Sequence, residues 1–135
     1  MQTISVGIIA YNEAKNLNVL LNQLLEQDYP HKSIEIVLVD GKSSDKTLDL
    51  MNSFKNKYES EFFGVQVLTN EKRIQPCGWK IVVDNFKCDM LVRLDAHTQI
   101  PSDFVRKNVE CIESGENVCG GVRTNIGDDG ANELL

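Results

Sequence analysis

The chain has 135 residues, of which 41% are hydrophobic and 25% charged, a composition typical of one globular domain with its own core. Its formal net charge is −6, and it lacks the basic stripe that nucleic-acid-binding proteins present, so DNA or RNA recognition is excluded as its main function. No apolar run approaches the length of a membrane-spanning helix.

The cysteines form neither a C-x-x-C pair nor a zinc-type cluster, and they fall in or beside apolar segments. We therefore expect free, buried thiols at all of them. Since no export signal is visible, we also expect the protein to reside in the reducing cytoplasm. The cysteines are Cys77, Cys88, Cys111 and Cys119.

The first elements along the chain are predicted from their apolar patterns. Residues 3–10 (TISVGIIA) are apolar and β-branched without clean alternation, which is typical of a strand covered on both faces. Residues 13–27 carry leucines at helical spacing, and Asn12 is placed to cap this helix. Residues 34–40 (IEIVLVD) predict a second buried strand.

The same alternation continues through the rest of the chain. Ser43 or Ser44 is predicted to cap a second helix. Alternating strands and helices predict an α/β protein, a three-layer α/β/α sandwich with a mainly parallel sheet. The remaining predicted elements are a helix to about residue 58, strand 64–69, helix 76–86, strand 89–94, helix 102–114 and strand 117–123. Residues 125–135 begin a loop with no closing element, so we expect a truncated domain, the front part of a longer protein.

The loop after the first strand, Ala10-Tyr11-Asn12-Glu13, contains no glycine. It therefore matches neither the G-x-G-x-x-G of dinucleotide-binding folds nor the phosphate-binding loop of NTPases. A sugar nucleotidyltransferase would also need a glycine-rich loop here, and a receiver domain would need a different order of acidic residues. These four classes are disfavoured.

Residues 93–98 read RLDAHT and follow the apolar run of the fourth strand. On an extended chain, Asp95 and His97 would point to the same side, at the carboxyl edge where open α/β sheets bind ligands. A carboxylate and an imidazole there could hold a divalent metal ion. A D-x-H pair alone is weak evidence, because Asp95 could instead cap a turn while His97 is a solvated loop residue.

Four ordered segments carry a resemblance to a known family: residues 11–13 (YNE), 39–47 (VDGKSSDKT), 72–78 (KRIQPCG) and 93–98. Together they resemble the donor-binding half of family 2 glycosyltransferases, most of all the bacterial succinoglycan-type exopolysaccharide enzymes. The resemblance implies a Rossmann-like GT-A fold. Residues 1–135 would then be the nucleotide-sugar-binding part of a single GT-A domain, with the acceptor-binding part beyond residue 135.

The resemblance also implies roles for particular residues. Asp95 and His97 would hold Mn²⁺ or Mg²⁺ together with the donor diphosphate, and the imidazole slightly favours Mn²⁺. Asp40 would accept from the uracil N–H, although many relatives carry a second acidic residue where this chain has Gly41. Asp40 could instead bond the amides of the following turn. The implied donor-binding residues are Ala10, Tyr11, Asn12, Glu13, Asp40, Arg73 and Asp95.

The implied activity is a metal-dependent, inverting transfer of a sugar from a nucleotide-diphosphate donor, with a UDP-sugar preferred. The acceptor would be a saccharide or a lipid-linked molecule in cell-surface polysaccharide synthesis, with peripheral association at the inner membrane face. The general base would come from beyond Leu135, so the catalytic residue is unknown. One alternative is a non-catalytic α/β module for nucleotide binding or interaction. Another is a nucleotidyltransferase.

Overall fold

The structure, a computed structural model, describes residues 2–114, and its centre is a parallel sheet. The strands are β1 (Ile4–Ala10), β2 (Ile34–Asp40), β3 (Gly64–Thr69) and β4 (Met90–Asp95), arranged in the order β3-β2-β1-β4. The helices are α1 (Ala14–Leu25), α2 (Thr47–Tyr58), α3 (Gln75–Asn85) and α4 (Phe104–Glu113). Each of these elements was predicted from the sequence. The predicted strand at 117–123 and the loop at 125–135 lie outside the described residues.

Helices cover both faces of the sheet, which confirms the three-layer α/β/α architecture. Apolar side chains of α1, α2 and α4, such as Leu20, Met51 and Val105, pack in one cluster with one face of the strands. On the opposite face, Val82 of α3 packs with Val37 of β2. β1 and β2 are buried on both faces because they are the two central strands. Among the described residues, no helix is long and apolar enough to cross a membrane.

Two glycines let α3 approach β1 closely. A Cβ atom placed on Gly7 would lie 2.6 Å from Cγ1 of Val82, well inside van der Waals contact. A Cβ atom on Gly78 would lie 3.2 Å from Cγ2 of Ile9. Helix α3 is therefore seated directly on the central strand, and its first turn is held next to the carboxyl end of β1.

A buried polar cluster joins the strands at the opposite, amino edge of the sheet. Glu35 is 1% exposed, and its carboxylate accepts hydrogen bonds from the Ser5 hydroxyl (2.6 Å), the Lys87 amide (2.8 Å) and the Gln66 side chain (2.8 Å). The Ser5 hydroxyl also accepts from the Cys88 amide. This cluster satisfies a buried carboxylate and ties the loop before β4 to β1, β2 and β3.

The predicted helix caps are wrong. Helix α1 begins at Ala14 and α2 at Thr47, and neither has a side-chain hydrogen bond from its N-cap residue. Asn12 lies in the left-handed region, with φ of 52°, rather than in the extended conformation typical of an N-cap. Its side chain bonds the neighbouring loop instead of its own helix.

The prediction of free thiols holds only in part. Cys77 and Cys88 are free, although Cys77 is only half-buried. Burial raises the pKa of the Cys88 thiol, which makes it a poor nucleophile at neutral pH. Cys111 is disulfide-bonded, so the prediction is wrong there, and Cys119 lies outside the described residues.

The contact between α3 and β1 gives a first prediction. Gly7→Ala should lower the free energy of unfolding by about 1–3 kcal/mol, because the new methyl group overlaps Val82 in a closely packed layer. Urea denaturation of the single and double variants measures this. Gly7→Ala combined with Val82→Ala should cost less than the sum of the two single changes.

Gly64 provides the matched control, since nothing lies within 4 Å of a Cβ atom placed there. Gly64→Ala should stay within about 0.5 kcal/mol of the original chain. Equal losses for Gly7→Ala and Gly64→Ala would contradict the proposed close seat of α3.

Candidate functional site

The strand register brings the polar strand ends to one edge of the sheet. Ala10 of β1 pairs with Asp40 of β2, which in turn pairs with Thr69 of β3. On the other side of β1, Ile9 pairs with Asp95 of β4. Strands β2 and β3 are added in turn on one side of β1, and β4 is then added on its other side. β1 and β4 therefore flank a topological switch point. Open α/β sheets bind their ligands at such a point.

A cleft of about 130 Å³ lies at this edge. It is smaller than the roughly 300–1,000 Å³ of complete small-molecule sites, so it has room for only part of a nucleotide-sized ligand. Most of the predicted site residues line it, whereas Asn12 and Asp40 do not. The lining residues are Ile9, Ala10, Tyr11, Glu13, Val39, Gly41, Asn70, Arg73, Gln75, Asp95, Ala96 and His97.

Tyr11 and its surroundings form the aromatic side of the cleft. Its side chain is 49% exposed, so the ring is accessible to a planar ligand group. The Gly41 amide donates to the Ala10 carbonyl at 2.9 Å, and a Cβ atom on Gly41 would lie 3.5 Å from the Tyr11 Cβ atom. The backbone after β2 therefore lies against the base of the Tyr11 side chain.

Asp40 is buried behind the cleft, with 2% exposure. Its carboxylate accepts from the amides of Lys42 (3.1 Å) and Ser43 (3.2 Å), which is the turn-forming role considered from the sequence. The turn needs this support because Lys42 has a φ of 67°. A contact between Asp40 and a nucleobase stays a prediction.

The loops after β1 and β2 are joined by side-chain hydrogen bonds, which we call the loop clamp (residues 12–14 and 43–47). Asn12 Oδ1 accepts from the amides of Ser44 (2.8 Å) and Asp45 (3.3 Å), while the Asn12 amide donates to the Ser43 hydroxyl (2.9 Å). The Glu13 amide donates to the hydroxyl of the buried Thr47 (3.0 Å). The side chains expected to cap their own helices thus bond across the two loops.

Asp45 completes the loop clamp. Its carboxylate accepts from the Thr47 hydroxyl and amide and, at 3.3 Å, from the Ala14 amide. The side-chain hydrogen bond from Thr47, reinforced by the backbone bonds, lowers the pKa of Asp45 below its ordinary value. Asp45 and Thr47 therefore bond within the start of α2 and also across to the loop after β1.

The predicted metal ligands lie together at the rim of the cleft. Strand β4 ends at Asp95, and the Thr98 amide donates to the Asp95 carbonyl at 2.9 Å, so residues 95–98 form a turn. The expectation of an extended chain through His97 is therefore wrong, yet both side chains line the cleft. His97 is 63% exposed, and its Nδ1 lies 3.6 Å from a Glu13 carboxylate oxygen.

The donor set of Asp95 and His97 suits a cation that is shared with a ligand. Within residues 2–114, no group of three or more His, Cys, Asp or Glu side chains could hold a metal ion by itself. One carboxylate and one imidazole leave most coordination positions of Mn²⁺ or Mg²⁺ to phosphate oxygens and water. The chemistry of these two side chains fits such a metal, and their role as its protein ligands stays a prediction.

Arg73 reaches the cleft from a loop that is held by Asn70. Asn70 is 5% exposed, its side chain donates to the Ile74 carbonyl (2.9 Å) and accepts from the Lys72 amide (3.2 Å), and its carbonyl accepts from the Arg73 amide. Arg73 is exposed and has a φ of 65°, an unusual conformation for a long side chain. Sequence analysis missed Asn70 and Gln75, although Asn70 directly follows a strand at the ligand edge.

Arg93 lies two residues before Asp95 on β4 and packs against α3. Its guanidinium lies over the Trp79 ring of α3, 4.9 Å from the centroid, in a cation–π contact. Lys80 pairs with Asp84 at 2.7 Å along α3.

Comparison with known protein families shows to which family the chain belongs. The model of the family described as "Glycosyl transferase family 2" matches residues 5–135. The chain belongs to glycosyl transferase family 2. A relative from Methanococcus voltae, a dolichyl N-acetyl-α-D-glucosaminyl phosphate 3-β-D-2,3-diacetamido-2,3-dideoxy-β-D-glucuronosyltransferase, is 36% identical over 110 residues, covering 82% of this chain and 34% of the relative.

A second relative is the undecaprenyl-phosphate 4-deoxy-4-formamido-L-arabinose transferase of Edwardsiella ictaluri. It is 32% identical over 124 residues, covering 91% of this chain and 38% of the relative. This family 2 chain therefore spans about a third of the length of these two relatives. The narrower resemblance to succinoglycan-type enzymes is not among these findings.

Solved structures confirm the GT-A fold of the chain. Staphylococcus aureus TarS, residues 1–349 in complex with UDP, matches with a TM-score of 0.69 and 24% identity, covering 83% of this chain and 32% of that TarS fragment. The mannosyltransferase PcManGT of Pyrobaculum calidifontis, in complex with GDP-Man and Mn²⁺, matches with a TM-score of 0.67 and 24% identity. That match covers 74% of this chain and 29% of PcManGT.

The lowered pKa of Asp45 gives a prediction about pH. Ionised Asp45 stabilises the folded state above its ordinary pKa of 3.8, and this contribution is lost as the pH falls through the lowered folded value. The melting temperature of Asp45→Asn should therefore lie below that of the original chain near neutral pH. The difference should shrink as the pH falls below 3.8. A difference that is the same at about pH 6 and pH 3 would contradict this account.

Proposed function

We propose that this chain binds the nucleoside-diphosphate part of a sugar donor, with UDP as its nucleotide, for a metal-dependent glycosyltransferase. The observation that carries the proposal is the cleft at the switch point. The cleft is lined by the accessible aromatic ring of Tyr11 and the guanidinium of Arg73. It is also lined by the carboxylate of Asp95 and the imidazole of His97. Membership of glycosyl transferase family 2 supports the class of reaction.

The charge of the cleft supports the proposed requirement for a divalent cation. Among the described lining residues, the carboxylates of Glu13 and Asp95 face a single full positive charge, on Arg73. A diphosphate would be repelled by the two carboxylates unless a cation bound with it. A metal ion held by Asp95 and His97 would supply that charge and stabilise the departing nucleoside diphosphate as a Lewis acid.

Tyr11 and Arg73 are assigned to two different parts of the donor. We assign the nucleobase to the space beside the Tyr11 ring, where a planar base can pack on an exposed aromatic face. Arg73 is assigned to the diphosphate, since a guanidinium binds phosphate oxygens in pairs. Structures of the TarS relative contain UDP or UDP-GlcNAc, which supports UDP, whereas the PcManGT complex contains GDP-Man.

The finer features of the activity are also part of the proposal. The names of the two relatives include dolichyl and undecaprenyl phosphate, which favours a lipid-linked acceptor. We propose inverting, direct displacement by an acceptor hydroxyl in cell-surface polysaccharide synthesis, of succinoglycan type, at the inner face of the membrane. The general base is assigned to the acceptor-binding part, beyond residue 135. UDP binding is therefore the decisive measurement for this chain, and we expect it to transfer sugar poorly or not at all.

Calorimetry of UDP with and without Mn²⁺ tests the metal site. Mn²⁺ should tighten UDP binding to the original chain, and Asp95→Ala and His97→Ala should each weaken binding in Mn²⁺ by at least about tenfold. Asp84→Ala is the matched control, because Asp84 is an exposed acidic residue that pairs with Lys80 away from the cleft. Metal-independent binding in all variants, or no binding, would favour a non-catalytic α/β module. Turnover of a nucleoside triphosphate with a sugar phosphate would favour a nucleotidyltransferase.

Replacing Arg73 separates the diphosphate from the base. Arg73→Gly should weaken UDP binding by about ten- to a hundredfold, the usual cost of losing hydrogen bonds to a charged group. Glycine adopts the φ of 65° without strain, so the loop keeps its conformation. Uridine, which lacks phosphate, should bind Arg73→Gly as it binds the original chain. An equal loss for uridine and UDP would place Arg73 at the base instead.

A further inference from the structure

We infer that Asn12 and Thr47 are positioning residues, which hold the nucleotide cleft in its binding conformation through the loop clamp without contacting the ligand. The inference rests on the proposed function, because it concerns the same cleft. It also reassigns Asn12, which the sequence placed among the donor-binding residues. Asn12 does not line the cleft, whereas Tyr11 and Glu13, its neighbours on both sides, do.

The backbone is held on both sides of Tyr11, by a strand-end hydrogen bond on one side and by the loop clamp on the other. On the side towards β1, the Ala10 carbonyl accepts from the Gly41 amide at 2.9 Å. On the other side, Asn12 is bonded through both its amide and its side chain to residues 43–45. An exposed ring on a short loop would otherwise sample several positions, so these bonds limit where a base can pack on it.

The same loop clamp reaches the metal side of the cleft through Glu13. Its amide is held by the Thr47 hydroxyl, and its carboxylate lies 3.6 Å from His97 Nδ1 and accepts from the Asn16 side chain at 3.0 Å. A carboxylate at this distance places negative charge beside the imidazole, which favours a positively charged metal ion there. The loop clamp therefore positions one wall for the base and a charged group beside a proposed metal ligand.

The conformation of Asn12 allows a clean test. Glycine at position 12 keeps the φ of 52° but removes the side chain. Aspartate keeps an acceptor oxygen at the place of Oδ1, which makes the contacts to Ser44 and Asp45. A positioning role predicts that Asn12→Asp behaves like the original chain and that Asn12→Gly does not. Uridine is the probe, because a neutral ligand is insensitive to the added charge.

We expect Asn12→Gly to weaken uridine binding by about five- to thirtyfold, and amide hydrogen exchange at Ser44 and Asp45 to become faster. Thr47→Val should also weaken binding, and Thr47→Ser should restore it, since serine keeps the hydroxyl that accepts from the Glu13 amide. Asn85→Ala is the matched control and should leave uridine binding unchanged. The Asn85 side chain donates to the Ile81 carbonyl at the end of α3 away from the cleft.

Each outcome has a distinct meaning. Unchanged uridine affinity in Asn12→Gly would overturn the positioning role while leaving the proposed function intact. Equal losses in Asn12→Asp and Asn12→Gly would show that the side-chain nitrogen of Asn12 contacts the ligand. That result would also overturn the positioning role. Failure of the original chain to bind uridine or UDP would overturn the proposed function and the positioning role together.

Discussion

The position of β1 in the sheet is the constraint on which the site depends. β1 pairs in parallel with β2 on one side and β4 on the other, so the chain reverses its direction of travel across the sheet beside it. At such a switch point the loops after neighbouring strands leave in different directions, which opens a crevice at the carboxyl edge of the sheet. The cleft is thus a product of strand order, and the polar side chains at its rim adapt that space to a particular ligand.

The rigidity of this crevice comes from polar loops and from one tightly seated helix. Helix α3 packs directly on β1 through Gly7 of the strand and Gly78 of the helix, which fixes its first turn, including Gln75, at the cleft. On the opposite wall, the hydrogen bonds of the loop clamp join the loops after β1 and β2 to each other. The ligand edge is therefore held by packing on one side and by hydrogen bonds on the other.

Sequence patterns predicted the fold well because burial controls them. Strands β1 and β2 are covered on both faces, and the leucines of α1 follow the helical period, so both signals are strong. The loops were harder, since Asn12 and Ser43 bond across to another segment and no local pattern specifies that partner. Arg73 owes its place to a left-handed backbone held by Asn70, and the turn after Asp95 depends on one backbone bond. Such features follow from the assembled structure.

Glu35 has a consequence for how the chain finds its native alignment. Its partners come from β1, β3 and the loop before β4, so the carboxylate is satisfied only when all of these segments are in register. A slip of β2 by one residue would turn Glu35 to the other face of the sheet and bring an isoleucine to these polar groups. The hydrogen bonds of Glu35 thus favour the native strand register, at the end of the sheet farthest from the cleft.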